Sequence, residues 1–163
     1  DEKKMISLNS YYLKSLPIDK IFELLIKEIE RNDIEIDKDM KDKIFMLLKP
    51  LIERANNIVD LFKLSKFIYN NDEKIIGKEN IEIITSSSRY KDNIIEELIQ
   101  CEWKKEILDK FLKNFVKEQE IPFGLIGKPL RLILTKRLTS PSITFVMEVM
   151  GKKEVIKRLK DIW

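Results

Sequence analysis

Residues 18–31 read IDKIFELLIKEIER, and this stretch indicates how the chain folds. Six apolar residues recur at spacings of three and four, which places them on one face of an α-helix: Ile18, Ile21, Phe22, Leu25, Ile26 and Ile29. Charged residues occupy the other face. Pro17 stands just before the stretch, where proline favours the start of a helix, and Asn32-Asp33 ends it. The stretch therefore predicts an amphipathic helix that buries one face in a core.

The composition favours helices along the whole chain. Only four of the 163 residues are glycine, while Lys, Glu, Leu and Ile dominate. Hydrophobic residues make up 44% and charged residues 36%, which is typical of an ordered core beneath a heavily solvated surface. A chain of this length suits one large or two small domains and buries roughly 70% of its unfolded surface. We predict an all-α protein.

Similar periodicity predicts further helices on both sides of the opening stretch. They cover residues 4–13, from Asp37 or Asp39 to Pro50, 54–69, 89–101, 104–118, from near Pro129 to about 135, and 143–150 before Gly151, with GKKEVIKRLKDIW closing the chain. We expect Pro50 to end or kink its helix and Pro129 to stand in a first helical turn. The segment around Ile81, Ile83 and Ile84 fits a strand as well as a helix, although Thr85–Ser88 resembles a turn and helix cap.

A polar stretch without periodicity, NNDEK at 70–74, marks the best domain boundary. We therefore predict two helical, bundle-like domains, 1–70 and 71–163.

Several residue types that carry catalysis are missing. The chain has no His and one Cys, Cys101, so imidazole catalysis and multi-thiolate metal sites are excluded. Its glycines fit no phosphate-binding loop. We expect no active site, cofactor or metal within this chain. A single Cys, no apolar run near 18 residues and a charged start without a signal-peptide pattern favour a reducing, cytoplasmic setting away from membranes.

The charge is concentrated near one end. Residues 121–163 contain nine basic against three acidic residues, +6, while the other 120 residues contain 22 against 25, −3. Within GKPLRLILTKRLTSPS, residues 127–142, Lys128 and Arg131 share a helix face, and Lys136 and Arg137 follow that helix. The helix after the turn offers free N–H groups to an anion. This corner suits phosphates and unstacked RNA bases; the alternative is the solvated face of a Lys-rich protein.

The stretch PLRLILTKRLTSPSITFVMEVMGKKEVIKRL, residues 129–159, resembles the C-terminal end of bacterial glutamyl-tRNA synthetases. That family ends with Pro-Leu-Arg, an apolar run with Leu-Thr, a Pro-containing turn, and a helix closing in Gly-Lys-Glu before a final Arg-Leu. Three weaker stretches match in the same order: KMISLNSYYL at 4–13, LIERANNIVDLFKLSKFIY at 51–69 and WKKEILDKFLKNFVKEQEI at 103–121. Together they span nearly the whole chain.

The resemblance implies the helical, class I synthetase anticodon-binding type of fold, with residues 1–70 a junction domain and 71–163 an anticodon-binding domain. It implies a parent glutamate–tRNA ligase whose catalytic half, absent here, uses ATP with magnesium. The implied partner is tRNA for glutamate, with tRNA for glutamine left open as a second substrate. We expect a monomer, and the start at DEKK without Met suggests a piece of a longer chain.

The resemblance also implies tRNA-binding residues. Arg131 matches the arginine at the anticodon pocket, Lys128 faces the same way, and Arg54 matches an arginine that reads the third anticodon base. The remaining implied contacts are Thr135, Lys136, Arg137, Ser140, Pro141, Ser142 and Ile143. Arg54 has an alternative interpretation as a surface helix residue paired with Glu53 or Asp60.

Two positions depart from the family pattern. Lys136 stands where the family has Gly, so the turn geometry is expected to differ and the added charge to serve the phosphate backbone. Ser7 replaces a usual Trp, which should weaken packing against the catalytic half. Two functions of other kinds stay open: a helical protein-interaction module and a stand-alone RNA-binding protein.

Overall fold

A computed structural model describes residues 1–5 and 8–163 in full, and Ile6 and Ser7 as helical backbone only. The side chain of Ser7, and with it the predicted loss of packing, lies outside the described residues. The helices are α1 Glu2–Ser15, α2 Ile18–Arg31, α3 Lys38–Ile52, α4 Ile58–Tyr69, α5 Lys78–Ser86, α6 Lys91–Gln100, α7 Lys105–Glu118, α8 Gly124–Thr135, α9 Ile143–Met150 and α10 Lys152–Ile162, with a 3₁₀ turn at Ser88–Tyr90 before α6. The described part of the chain contains no strand, so the all-α prediction is confirmed.

The chain divides into two compact units, which we call unit 1 (Asp1–Asn71) and unit 2 (Asp72–Trp163). In unit 1, α2 packs against α3 and α4. The periodic residues Ile21, Leu25 and Ile29 of α2 are buried, as the amphipathic pattern predicts. Ser65, the polar residue on the apolar face of α4, is fully buried and donates its hydroxyl proton to the Phe62 carbonyl at 3.0 Å. Its burial therefore leaves no unpaired hydroxyl in this core.

Two helix boundaries in unit 1 differ from those predicted. α3 does not end at Pro50 but continues to Ile52, because Leu51 and Ile52 are buried and their packing outweighs the hydrogen bond that proline cannot make. The helix predicted from residue 54 starts only at Ile58. Asn57 caps it, since its side chain accepts the Asp60 N–H at 2.9 Å.

In unit 2, α8 packs against α5 and α10, and α7 packs against α9. The segment that fitted either a strand or a helix is the helix α5, which follows Gly77 at φ 98°. α8 begins at Gly124, five residues before Pro129, so the predicted start near Pro129 is wrong. The carbonyls of Pro122 and Phe123 accept the first amide hydrogens of this helix, at 3.0 Å each, which supplies the starting turn earlier.

α8 packs against three helices of unit 2, namely α5, α9 and α10. Its residues Leu130 and Ile133 are fully buried, as are Leu112 of α7, Val146 of α9 and Leu159 of α10. α9 ends at Gly151, which adopts φ 87°, as predicted. Within the described residues, no helix is long and apolar enough to span a membrane. The same residues contain no cluster of three metal-ligating side chains.

Candidate nucleic-acid interface

The end of α8 carries an unusual backbone conformation at Lys136. This residue follows Thr135 with φ 61°, in the left-handed region, and its N–H bonds the Leu132 carbonyl at 2.9 Å. Glycine is favoured at such a helix end because a side chain crowds the backbone there. The left-handed conformation explains why glycine suits the position occupied by Lys136.

Two cationic side chains cap the carbonyls of Ile133 and Leu134 in the last turn of α8. The Lys136 ammonium donates to the Ile133 carbonyl at 3.2 Å, and the Arg158 guanidinium donates to the Leu134 carbonyl at 3.0 Å. Positive charge is favourable at a helix C-terminus. Burial lowers the pKa of the Lys136 amine, and the charge of Arg158 lowers it further. Lys136 is therefore partly committed to the fold rather than fully available to a phosphate.

Arg158 is a residue that sequence reasoning missed. It is 3% exposed, and its Nε pairs with Glu154 at 2.8 Å. Because it lies 24 residues from Leu134, its role depends on how α10 packs against α8. The sequence offered two signals: the Glu-Arg pair four residues apart and the Arg-Leu that ends the family pattern.

The turn between α8 and α9 is built by hydroxyl groups. Thr135 Oγ1 lies 2.8 Å from the Arg131 carbonyl and 3.3 Å from that of Arg137, and Ser140 donates to the Pro141 carbonyl at 2.8 Å. These bonds satisfy backbone groups and shape the turn.

The predicted contact residues of unit 2 differ in exposure. Lys128 and Ser142 are exposed; Arg131, Lys136, Arg137 and Ser140 are half-buried; Thr135, Pro141 and Ile143 are buried. The structure thus brings Thr135 and the residues of the turn together at the end of α8, while Lys128 lies two helical turns earlier. The buried members support this surface from beneath.

A line of polar groups holds the start of α9. The Ser142 and Thr144 hydroxyl oxygens are 3.1 Å apart, and Thr144 donates to Asp109 of α7 at 2.6 Å. Lys105 contacts the other carboxylate oxygen at 2.9 Å. Burial by itself would raise the pKa of the Asp109 carboxyl, but the hydrogen bonds from Thr144 and Lys105 outweigh it and hold that pKa below its usual range. The start of α9, where an anion site was predicted, therefore already has a carboxylate, that of Asp109, hydrogen-bonded to the Thr144 side chain.

An exposed aromatic ring lies on the outer face of α8. Phe123, Gly127 and Arg131 follow one another at four-residue spacing, so they share a face. A methyl group built on Gly127 would lie 2.6 Å from Phe123 Cε1 and 3.4 Å from Arg131 Nη1. The ring therefore lies directly over the glycine, beside the guanidinium, and Phe123 keeps 40% of its surface exposed. Sequence reasoning missed Phe123, although the spacing was visible.

Arg54 lies in unit 1, in the turn after α3 rather than on a helix. It is exposed, and its Nη1 donates to the Pro50 carbonyl at 2.7 Å. Asp60 instead accepts the Asn56 N–H at 3.2 Å, and within the described residues Arg54 forms no ion pair with Glu53 or Asp60. The alternative interpretation of Arg54 as a paired helix residue is wrong, because α4 begins only at Ile58.

An all-helical chain with a basic helix end and an exposed aromatic is consistent with a nucleic-acid-binding domain. Residues 15–163 match the anticodon binding domain family, and the chain belongs to it. More particularly, it is similar to glutamate–tRNA ligases. It is 30% identical over 163 residues to "Glutamate--tRNA ligase 2" of Anaplasma phagocytophilum (strain HZ), covering 98% of this chain and 35% of that protein. It is 32% identical over 167 residues to the protein of the same name from Rickettsia felis, covering 99% and 35%.

The fold is also that of a solved glutamate tRNA ligase from Elizabethkingia meningosepticum, crystallised in complex with its amino acid. That likeness has a TM-score of 0.75 at 23% identity and covers 94% of this chain and 30% of the other. The chain spans about a third of the length of the curated relatives it matches. The resemblance expected from residues 129–159 is confirmed.

Proposed function

We propose that this chain recognises the anticodon arm of tRNA as part of a glutamate–tRNA ligase, with tRNA for glutamate as its partner. Unit 2 is the anticodon-binding domain and unit 1 the junction domain. The ATP and magnesium that acylation requires belong to a catalytic part outside these residues, and the protein acts as a monomer in the cytoplasm. Support comes from the family membership and from the basic surface at the end of α8.

The observation that carries this proposal is a pair of cations, one on α8 and one just after it. Lys128 is exposed and Arg137 half-buried, and within the described residues neither forms an ion pair. A lysine or arginine without an internal partner can neutralise a phosphate and release its counterion. Lys136, with its amine on the Ile133 carbonyl, contributes mainly through its field.

Phe123 supplies a surface for an unpaired base. Aromatic rings and guanidinium planes are the groups on which single-stranded bases stack. The Phe123 ring, with one edge against Gly127 and next to Arg131, offers both at one place on α8. We assign stacking to Phe123 and backbone contact to Lys128 and Arg137.

The test is a binding titration of the 163-residue chain with a fluorescent RNA hairpin that carries the anticodon loop of glutamate tRNA. Between 50 and 200 mM salt, each lost phosphate contact should flatten the log–log slope by about 0.7, the value for single strands. Lys128→Ala with Arg137→Ala should therefore flatten the slope by about 1.4. The matched control removes the same charge from the exposed lysines of α7, Lys113→Ala with Lys117→Ala. Equal slopes for the two double variants would refute this assignment.

Arg54 is proposed to read the third anticodon base. One of its N–H groups is bonded to Pro50, which fixes the guanidinium and leaves its other donors for a base edge. A pair of this kind discriminates by about 1–3 kcal/mol. Arg54→Gln should therefore reduce the preference for the glutamate over the glutamine anticodon hairpin by roughly tenfold. Arg54→Lys, which keeps the charge but not the planar fork, is the control. A uniform loss on both hairpins would show a backbone contact only.

A further inference from the structure

Two side chains at the start of α9, Ser142 and Thr144, form a directed chain of hydrogen bonds with Asp109 of α7. Ser142 Oγ lies 3.1 Å from Thr144 Oγ1, and Thr144 Oγ1 lies 2.6 Å from Asp109 Oδ1. The Lys105 ammonium lies 2.9 Å from the other carboxylate oxygen of Asp109. The backbone N–H of Lys105 donates a hydrogen bond to the Glu148 carboxylate of α9. The carboxylate is thus fixed between α7 and α9.

The direction of each bond follows from counting protons. A carboxylate only accepts, so the single proton of the Thr144 hydroxyl goes to Asp109. Thr144 then has only lone pairs for Ser142, and the Ser142 proton must point inward to it. Thr144 is 1% exposed, whereas Ser142 is exposed. The Ser142 oxygen therefore faces solvent with its lone pairs.

We infer that Asp109, acting through Thr144, holds the Ser142 hydroxyl as a hydrogen-bond acceptor, so that this position selects an N–H donor on a base edge rather than a phosphate oxygen. This inference rests on the proposed function. A phosphate oxygen has no proton to share with a second acceptor, whereas amino and ring N–H groups of unpaired bases do. Asp109 and Thr144 are positioning residues, and Ser142 makes the contact.

The experiment pairs protein and RNA substitutions. The hairpin with the anticodon loop of glutamate tRNA is made in versions in which one loop base at a time lacks its exocyclic amino group or, for uridine, carries a methyl group in place of its ring N–H hydrogen. With the unaltered chain, removing the N–H donor that Ser142 reads should weaken binding by about tenfold, the effect of one hydrogen bond. Ser142→Ala should bind the intact hairpin about tenfold more weakly than the unaltered chain does. Its affinity should not change further when that base is replaced.

The positioning role has its own signature. Thr144→Val keeps the shape but breaks the chain, and Asp109→Asn replaces a pure acceptor with an amide that also donates. In both variants, the ratio of affinities for the intact hairpin and the hairpin with that base replaced should fall toward one. The dependence of log affinity on log salt should not change. A residue that only stabilises the fold would not shift the base preference at constant slope. Because the Asp109 side chain is partly exposed, Asp109→Asn should remain folded. It therefore tests the positioning role even if Thr144→Val unfolds.

The matched control is Thr139→Ala, which removes an exposed hydroxyl from the same turn outside this chain of bonds. It should bind like the unaltered protein. The inference is overturned if every base replacement weakens hairpin binding by Ser142→Ala as much as it weakens binding by the unaltered chain. It is also overturned if Asp109→Asn keeps full discrimination. Failure of the unaltered chain to prefer the hairpin over duplex RNA instead refutes the proposed function.

Discussion

A comparison of two glycines in α8 tests the stacking role of Phe123. Gly127→Ala and Gly124→Ala make the same chemical change three residues apart on one helix. The new methyl group at Gly127 would lie 2.6 Å and 3.0 Å from two carbons of the Phe123 ring. At Gly124 it would meet only the Lys128 Cε, at 3.9 Å. Non-bonded carbons rest at about 3.5–4.0 Å, so only Gly127→Ala forces the ring to move, by roughly 1 Å.

The magnitudes separate folding from binding. Alanine is favoured over glycine inside a helix by about 0.8–1.0 kcal/mol, with less gain at the first residue, Gly124. Phe123 is 40% exposed, so its ring can swing outward and Gly127→Ala should remain folded. Base stacking contributes about 1–3 kcal/mol per base. Displacing the ring should therefore weaken hairpin binding roughly five- to 150-fold.

The assay is fluorescence anisotropy with the anticodon hairpin, with helicity and urea unfolding measured in parallel. Gly124→Ala should bind like the unaltered chain, and Gly127→Ala should bind like Phe123→Ala. Phe123→Tyr should bind like the unaltered chain because it keeps a flat aromatic ring. The stacking role is refuted if the two glycine variants bind equally, or if Phe123→Ala binds as well as the unaltered chain.

Two further predictions concern the end of α8. The variants Lys136→Gly and Lys136→Ala both remove the amine and differ only in the backbone they favour. Lys136→Gly should be more stable to urea by about 1 kcal/mol, because of the two only Gly adopts φ 61° without strain. An Ala variant at least as stable as the Gly variant would contradict the backbone argument. Arg158→Met should lower the free energy of unfolding by about 1–3 kcal/mol, because the buried Leu134 carbonyl loses its donor. The exposed neighbour variant Lys157→Met should change it little, and equal effects would show that the capping contact contributes nothing.

Local patterns in the sequence were enough to predict most helices. The spacing of Ile21, Leu25 and Ile29 is a property of one segment, and their burial in α2 follows from it. Helix boundaries at prolines were less predictable. Pro50 and Pro129 both lie inside helices, because packing of their neighbours and carbonyl acceptors upstream outweigh the local cost of proline.

The sequence alone predicts a helical chain, shows that positive charge is concentrated after residue 120, and identifies the cations next to the turn. What those groups do depends on how the helices pack. Lys136 turns its amine onto its own helix end, Arg158 reaches a carbonyl 24 residues away, and Asp109 reaches Thr144 across 35 residues. A hydrogen bond depends on atoms within about 3 Å, and residues far apart in sequence reach that distance only when helices pack. Periodicity within a segment records which face is buried, not which partner it meets.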